Sequence, residues 1–237
     1  MGLRVTRPAP RKSDLGVRVA SAVVMVAVAG AALWLGEWPF AIFVTIVAVG
    51  VFWEWWDLVL RFATRPLSRA LWIAAGLAYI FLAAGTLIAL RRISLSQAIV
   101  VLLLVIAVDV GAYFAGRTIG GPKIAPRISP SKTWAGLGGG ALAAALAHAA
   151  VAPWTDPTYP EASGVDIAAW SLVAGLLLAV IAQAGDFFES WMKRRAGVKD
   201  SGALLPGHGG FFDRLDGLLA VLFVFSLFRL IGGEPVA

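Results

Sequence analysis

Long apolar segments recur along almost the whole chain and are separated by short polar stretches. Each approaches the ~20 residues that a helix needs to cross the hydrocarbon core of a bilayer. Alternating strands typical of membrane barrels are absent, so helices are the spanning form that the pattern predicts. The pattern therefore predicts an all-α polytopic integral membrane protein with about seven transmembrane helices, in the range of six to nine. The segments are Leu15–Leu35, Trp38–Leu60, Ala70–Leu90, Gln97–Gly116, Trp134–Ala152, Ile167–Phe188 and Leu215–Ile231.

Composition supports the same class. Of the 237 residues, 59% are hydrophobic and only 14% are charged, and the mean hydropathy is +0.83. This balance argues against a soluble protein, and we expect a single transmembrane domain over residues 15–232. Residues 1–14 are expected to form a basic cytoplasmic arm, and residues 233–237 a short tail. The absence of cysteine excludes disulfides, thiolate metal ligands and a cysteine nucleophile.

The segment Trp134–Ala152 is the least typical span because glycine and alanine dominate it. Small side chains let helices approach closely, so we expect this segment to lie inside the helix bundle. The chain shows no internal repeat of the inverted kind found in many transporters.

Basic residues indicate the orientation in the membrane. Nearly all lysines and arginines fall in the N-terminal arm and in the loops that follow the second, fourth and sixth segments. Only Arg91, Arg92 and Arg229 fall at the opposite ends, together with an acidic loop that contains Asp156 and Glu161. The positive-inside rule then predicts a cytoplasmic N-terminus. It also places both polar motif loops, residues 109–136 and 185–217, on the cytoplasmic face. The net charge of +6 agrees with this bias and needs no nucleic-acid partner.

The first polar cluster follows the fourth segment. Asp109 lies within an apolar helix, and an acid at that depth is by default a candidate functional residue, although a helix-locking hydrogen bond or a pair with Arg117 is the structural alternative. The loop after it combines glycines, hydroxyls and lysines just before a new helix. Such a loop suits phosphate capture, because backbone N–H groups and the helix dipole face the anion. The candidates for phosphate binding in this loop are Gly120, Gly121, Lys123, Arg127, Ser129, Ser131, Lys132 and Thr133.

The second polar cluster brings more acids together. Asp186, Glu189, Ser190 and Lys193 are spaced to lie along one face of a helix end. Asp213 and Asp216 share a face of the last helix in the same way. Hard oxygen ligands from two helices that meet at a membrane interface suit Mg²⁺, which retains waters and bridges to substrate phosphates. A purely structural cluster of charges at the helix ends is the alternative.

Two further polar residues have open interpretations. His208 is bounded by glycines in a Pro-Gly-His-Gly-Gly turn, where it binds phosphate or shuttles a proton, or else caps the next helix. Glu54 and Asp57 lie among tryptophans at a predicted cytoplasmic helix end. For these two acids we predict interfacial anchoring rather than catalysis.

The string SWMKRRAGVKDSGALLPGHGGFFDRLD, residues 190–216, resembles the C-terminal motif of phosphatidate cytidylyltransferases at essentially every fixed position. Residues 109–136, DVGAYFAGRTIGGPKIAPRISPSKTWAG, resemble the second motif of that family. The resemblance implies a membrane enzyme in which the phosphate of phosphatidate attacks the α-phosphorus of CTP. The products would be CDP-diacylglycerol, for phospholipid biosynthesis, and pyrophosphate. It also implies a requirement for Mg²⁺, with two ions or an additional monovalent cation left open.

The resemblance assigns roles to individual residues of this chain. Metal ligands would be Asp186 and Asp216, with Asp213 in support. Contacts with lipid or nucleotide phosphates would come from Ser190, Lys193 and Arg194, and the polar site would be completed by Lys199, Asp200, His208 and Arg214. CTP would be held by Ser129, Lys132 and Thr133, with Asp109 nearby. The expected partners are CTP, phosphatidate and the bilayer of the inner (plasma) membrane, with a homodimer left open.

Ala135 is the main departure from the family, because many members have glutamate at the corresponding position of a Thr-Trp-Glu-Gly string. A non-catalytic lipid-binding relative is therefore one alternative. A cation transporter that uses intramembrane acids is another, although the acids here cluster at one face. A CDP-alcohol phosphotransferase is disfavoured, because Asp216-Gly217 is not followed by that family's motif.

Overall fold

The computed structural model describes residues 15–155, 164–205 and 207–232. Within these residues the chain forms seven helices and one antiparallel two-stranded hairpin. In chain order the elements are α1 (Leu15–Leu35), α2 (Glu37–Phe62), α3 (Pro66–Ile93), α4 (Leu95–Thr118), β1 (Lys123–Ala125), β2 (Ser129–Thr133), α5 (Trp134–Thr155), α6 (Gly164–Ala196) and α7 (Phe212–Ile231).

The helical membrane class that the sequence predicts is confirmed. Five helices, α2 to α6, are long and apolar enough to cross a membrane, and α1 adds a shorter apolar helix over Val19–Leu35. The exact number of spans and the cytoplasmic position of the N-terminus remain predictions. The arm at residues 1–14, the loop at residues 156–163 and the tail at residues 233–237 lie outside the described residues.

Helices α4, α5 and α6 pack closely through small residues. A Cβ atom added at Gly111 of α4 would meet the carbonyl oxygen of Gly139 on α5. A Cβ added at Gly175 of α6 would likewise meet the backbone of α5 at Ala141. α5 therefore lies between α4 and α6, as its composition predicts, although Leu142 on its outer face is 55% exposed.

Helices α2, α3 and α7 pack through large aromatic side chains instead. Trp55 of α2 is 1% exposed, and its indole N–H donates to the carbonyl of Trp72 at 2.9 Å. Its ring centroid lies 5.7 Å from those of Phe188 and Phe212. The indole fits against α3 because Gly76 has no Cβ that would occupy its place. This aromatic core joins α2 and α3 to the ends of α6 and α7.

Two local features differ from the predicted boundaries. α6 continues to Ala196 rather than ending near Phe188, because Trp191 to Ala196 contains good helix formers. Gly197 then ends the helix with a φ of +70°, and the N–H of Val198 donates to the carbonyl of Lys193 at 3.0 Å. The polar segment after α4 is not a plain loop, since β1 and β2 form a short hairpin there. The pairing of β1 with β2 gives the polar side chains of Ser129–Thr133 defined positions on a strand.

Candidate active site

A cavity of about 660 Å³ lies where α4, β2, the start of α5, α6 and α7 converge. Its volume is within the range usual for small-molecule sites. Residues that the sequence singles out supply most of its lining: Asp109, Ser131, Lys132, Thr133, Asp186, Glu189, Lys193, Asp213, Arg214 and Asp216. Six further residues complete it: Ala112, Tyr113, Gly116, Arg117, Gly136 and Gln183. The structure thus brings the two polar segments of the sequence to one place.

Three acids from three helices face this cavity: Asp109 of α4, Asp186 of α6 and Asp216 of α7. α6 and α7 approach closely because Gly185 has no side chain, and a Cβ there would meet the carbonyl oxygen of Asp216. Asp109 and Asp186 are both near enough to act electrostatically on Asp216. Like charges held this close favour binding of a cation.

Lys132 places a positive charge next to these acids. Its ammonium forms an ion pair with Asp186, which connects the hairpin to α6. Both side chains remain about one quarter exposed. The carboxylate of Asp216 accepts a hydrogen bond from the N–H of the next residue, Gly217, at 2.8 Å. Each of these carboxylates therefore keeps oxygen lone pairs available to the cavity.

Lys193 forms a second, more enclosed charge cluster beside the cavity. Its ammonium lies 2.6 Å from Glu189 on α6 and 2.7 Å from Asp213 on α7. The other oxygen of Asp213 accepts from the N–H and hydroxyl of Ser201 and from the N–H of Gly210, each at 2.9 Å. Burial by itself raises the pKa of the Asp213 carboxyl, but the hydrogen bonds around it outweigh burial and lower the pKa below its ordinary value. Asp213 is therefore held ionised by protein donors.

Glu54 holds the polar segment from the other side. It is 2% exposed, and it accepts from the N–H groups of Phe211 and Phe212 at 3.1 and 2.8 Å. The hydroxyl of Ser201 lies 3.1 Å from Glu54 and 2.9 Å from Asp213, so its single proton is shared between the two carboxylates. The carboxylate of α2 thus caps the N-terminus of α7, where N–H groups need acceptors and the helix dipole favours negative charge. The prediction that Glu54 anchors the chain at the membrane interface is wrong, because its carboxylate is buried among these donors.

The hairpin orients its own residues through a helix cap. Thr133 is 2% exposed, and its hydroxyl accepts from the N–H of Gly136 at 3.0 Å. This is the N-cap bond of α5, and it fixes the direction of Lys132 just before it. Ser129 is buried on the same strand, with its hydroxyl 3.5 Å from that of Ser131. Ala135, the departure from the family, is not among the lining residues.

The remaining predicted residues are not among those that line the cavity. Arg194 reaches the carbonyl of Ile128 in the hairpin at 3.5 Å. The ring of His208 lies 2.9 Å from the hydroxyl of Ser21 on α1, and its carbonyl accepts from Arg214 at 2.7 Å. The first contact joins α6 to the hairpin, and the second joins α1 to the loop before α7. Catalytic or binding roles remain predictions for six residues: Ser129, Ser190, Arg194, Lys199, Asp200 and His208.

Sequence reasoning missed the structural role of Glu54 and the position of Gln183 on the cavity wall. Glu54 follows a long apolar run, and its apolar neighbours concealed that its own side chain is buried. Gln183 lies three residues before Asp186, on the same face of α6, and it lines the cavity. That spacing was readable from the sequence, but an uncharged amide gave no reason to single it out.

The donor set of the cavity fits a divalent cation. Among residues 15–155, 164–205 and 207–232, no group of three or more His, Asp or Glu side chains is arranged to hold an ion by itself. Asp109, Asp186 and Asp216 nevertheless present hard carboxylate oxygens to one space. Mg²⁺ is usually bound by one or two carboxylates, with waters and substrate phosphates completing the shell. A site of this composition is therefore one that substrate completes.

Comparison with protein families matches residues 62–231 to the cytidylyltransferase family. Phosphatidate cytidylyltransferase of Brucella suis biovar 1 (strain 1330) is 34% identical over 267 aligned residues, covering 94% of this chain and 96% of that protein. The protein of the same name from Rickettsia bellii (strain RML369-C) is 34% identical over 212 residues, with 88% of each chain covered. That from Rickettsia prowazekii (strain Madrid E) is 33% identical over 217 residues, covering 90% and 91%.

Proposed function

This chain belongs to the cytidylyltransferase family, and we propose that it transfers the cytidylyl group of CTP to phosphatidate, giving CDP-diacylglycerol and pyrophosphate. The family that the two motifs predicted is confirmed. The observation that carries the reaction is the cavity itself, because acids and cations from both motifs line one space within a bundle of membrane helices. An enzyme that joins a lipid phosphate to a nucleotide phosphate needs such a space at a membrane.

The chemistry asks for positioning and charge more than for a covalent nucleophile. An oxygen of the phosphatidate phosphate attacks the α-phosphorus of CTP, a new P–O bond forms, and the bond to the pyrophosphate oxygen breaks. The attacking oxygen is already anionic at neutral pH, so no strong general base is required. Two polyanions must approach each other, and Lys132, Arg117 and Arg214 lie on the cavity wall where they lower that repulsion.

Asp186 and Asp216 are the residues that would hold Mg²⁺, with Asp109 beside them. When bound, the ion would supply positive charge at the phosphate oxygens during transfer. Asp213, the supporting ligand of the sequence analysis, has donors on both of its oxygens. We propose that Asp213 instead positions Lys193, whose ammonium it shares with Glu189.

The side of the membrane follows from the charge pattern of the loops. The cavity lies near the ends of α4 and α6, next to the basic residues of the hairpin and of Lys193 to Arg195. The positive-inside rule supports a cytoplasmic position for these ends, where CTP is available. We therefore propose a multi-pass protein of the inner membrane with its site facing the cytoplasm. Pairing of two copies remains a prediction.

The direct test uses the purified full chain in detergent micelles that contain phosphatidate. CTP with a labelled cytosine is added with and without Mg²⁺, and pyrophosphate and labelled lipid are both measured. We expect both products only when phosphatidate, CTP and the metal are all present. UTP serves as the matched nucleotide control. If folded protein releases no pyrophosphate with any divalent ion, a non-catalytic relative or a transporter becomes the better account.

A further inference from the structure

Gln183 is a buried amide with no partner in the protein. It lies on α6, it is 5% exposed, and it lines the cavity that contains Asp186. Neither its amide nitrogen nor its amide oxygen makes a hydrogen bond to any residue that the structure describes. Leaving a buried polar group unpaired is costly, so native proteins rarely keep one without a use. A substrate group that enters the cavity would supply the missing partner.

The position of Gln183 along α6 indicates which part of a substrate it meets. Lys193 lies near the basic end of α6, followed inward by Asp186 and then by Gln183. With a rise of 1.5 Å per residue, Gln183 lies about 4.5 Å further from that end than Asp186 does. The cations and carboxylates that suit phosphates thus occupy the outer part of the cavity. Gln183 therefore lines the part of the cavity farther from the basic end of α6.

A phosphatidate molecule matches this order of groups. Its phosphate is followed by the glycerol carbons and then by two ester carbonyls, which lie deeper in the bilayer than the phosphate. A nucleotide, by contrast, has no ester carbonyl. An amide N–H is a suitable donor to an ester carbonyl, and it brings no charge into the apolar part of the bundle.

We propose that the amide of Gln183 donates a hydrogen bond to an ester carbonyl of the lipid substrate, so that Gln183 selects diacyl over ether-linked phosphatidate. This inference rests on the proposed function, since it identifies how the lipid of that reaction is recognised. Gln183 is a specificity-determining residue in this account. The phosphates are held by the charged groups nearer the loops, and the amide recognises how the acyl chains are attached.

The test compares two lipids that differ only at the proposed contact, diacyl phosphatidate and its dialkyl ether analogue of equal chain length. Lipid is titrated into the detergent-solubilised full chain without CTP, and the shift in thermal unfolding midpoint gives the half-saturating lipid fraction. For the unmodified chain we expect the diacyl lipid to bind about tenfold more tightly than the ether lipid. This is the ratio of affinities that one hydrogen bond to a buried partner gives. In Gln183→Leu we expect the ratio between the two lipids to fall to near one.

The control is Gln97→Leu, the same substitution in the first turn of α4, where the ratio should stay as in the unmodified chain. Three results would overturn the proposal: equal binding of both lipids by the unmodified chain, an unchanged ratio in Gln183→Leu, or a Gln183→Leu variant that weakens CTP binding alone. Turnover with diacyl phosphatidate and CTP is measured in parallel. A chain that prefers the diacyl lipid but makes no CDP-lipid would refute the proposed reaction and leave the Gln183 contact standing.

Discussion

Two sets of acids lie within the same bundle, and their surroundings differ. Glu54 and Asp213 accept hydrogen bonds or ion pairs on both carboxylate oxygens, from backbone N–H groups, the Ser201 hydroxyl and Lys193. Asp213 also lines the cavity, as do Asp186 and Asp216, but these last two each have only one close protein donor. The carboxylate oxygens of the first set are engaged by donors of the protein, whereas the second set has carboxylate oxygens that remain available to a ligand.

The comparison separates acids that hold the fold from acids that serve the reaction. A buried carboxylate with every lone pair engaged stabilises the loop and helix end around it, and removing it leaves those donors without acceptors. Asp186 and Asp216 contribute less to folding, because the ion pair of Asp186 is partly exposed and Asp216 accepts from a single backbone N–H. Substitutions in the two sets should therefore affect different measurements.

The largest effect on folding is expected for Glu54→Ala. It removes the acceptor of two backbone N–H groups and one hydroxyl, all of them enclosed. We expect the free energy of unfolding to fall by about 3 kcal/mol or more, measured by thermal or denaturant unfolding in detergent. Glu37→Ala, an exposed position in the first turn of α2, is the control and should stay near the unmodified value. Equal midpoints for both variants would contradict the capping role of Glu54.

Asp186→Asn should have the largest effect on turnover. The substitution preserves size but removes the charge that pairs with Lys132 and faces the cavity. We expect CDP-lipid formation to fall by about 10²- to 10³-fold, while the unfolding midpoint changes little. Asp57→Asn removes an ion pair of α2, with Arg61, that lies outside the cavity lining, and it should leave turnover unchanged and the midpoint nearly so. Loss of folding in Asp186→Asn would instead place Asp186 among the structural acids.

Lys132→Met should reduce turnover by a smaller factor. The ammonium forms the link between the hairpin and α6 and lies on the cavity wall. A charge-assisted contact with a phosphate contributes about 1.5–3 kcal/mol, so kcat/KM should fall by about 10- to 100-fold. Lys123→Met, on the exposed β1 strand of the same hairpin, should behave as the unmodified chain. A normal kcat/KM in Lys132→Met would show that Lys132 does not meet a substrate.

Thr133→Ala should have the smallest effect, and mainly on stability. Its hydroxyl caps α5 through the N–H of Gly136, and loss of such a cap costs about 1 kcal/mol. Thr118→Ala removes an exposed hydroxyl that bonds within α4 and is the matched control. If Thr133→Ala raises the KM for CTP without lowering the unfolding midpoint, the hydroxyl serves the nucleotide rather than the helix.

Much of the fold was readable from local patterns. Apolar length predicted the helices, and the glycines and alanines of α5 indicated a close-packed position, which Gly139 of α5 and Gly175 of the neighbouring α6 confirm. The apolar length predicts a span that ends at Phe188, while the i, i+3, i+4 and i+7 spacing from Asp186 to Lys193 predicts that the helix continues beyond it, as α6 does to Ala196. The hairpin was missed because two strands of three and five residues leave almost no periodic signal.

Much of the site was also readable, because its chemistry lies in two polar segments within an apolar chain. What sequence spacing does not show is which partner each acid finds across the fold. Asp213 and Asp216 are equivalent in sequence, both in the first turns of α7, yet only Asp213 meets Lys193 and Ser201. Glu54 finds its partners at Phe211 and Phe212, far away along the chain, so only the folded arrangement reveals its role.

The most direct test of the central claim compares Asp213→Asn with Asp216→Asn, three residues apart on α7. The unfolding midpoint and the rate of CDP-lipid formation are measured for both variants under the same conditions. The account predicts that Asp213→Asn lowers the midpoint clearly, while Asp216→Asn keeps the midpoint and loses turnover. If both variants lose stability alike, or if Asp216→Asn keeps full turnover, the division between structural and cavity acids is contradicted.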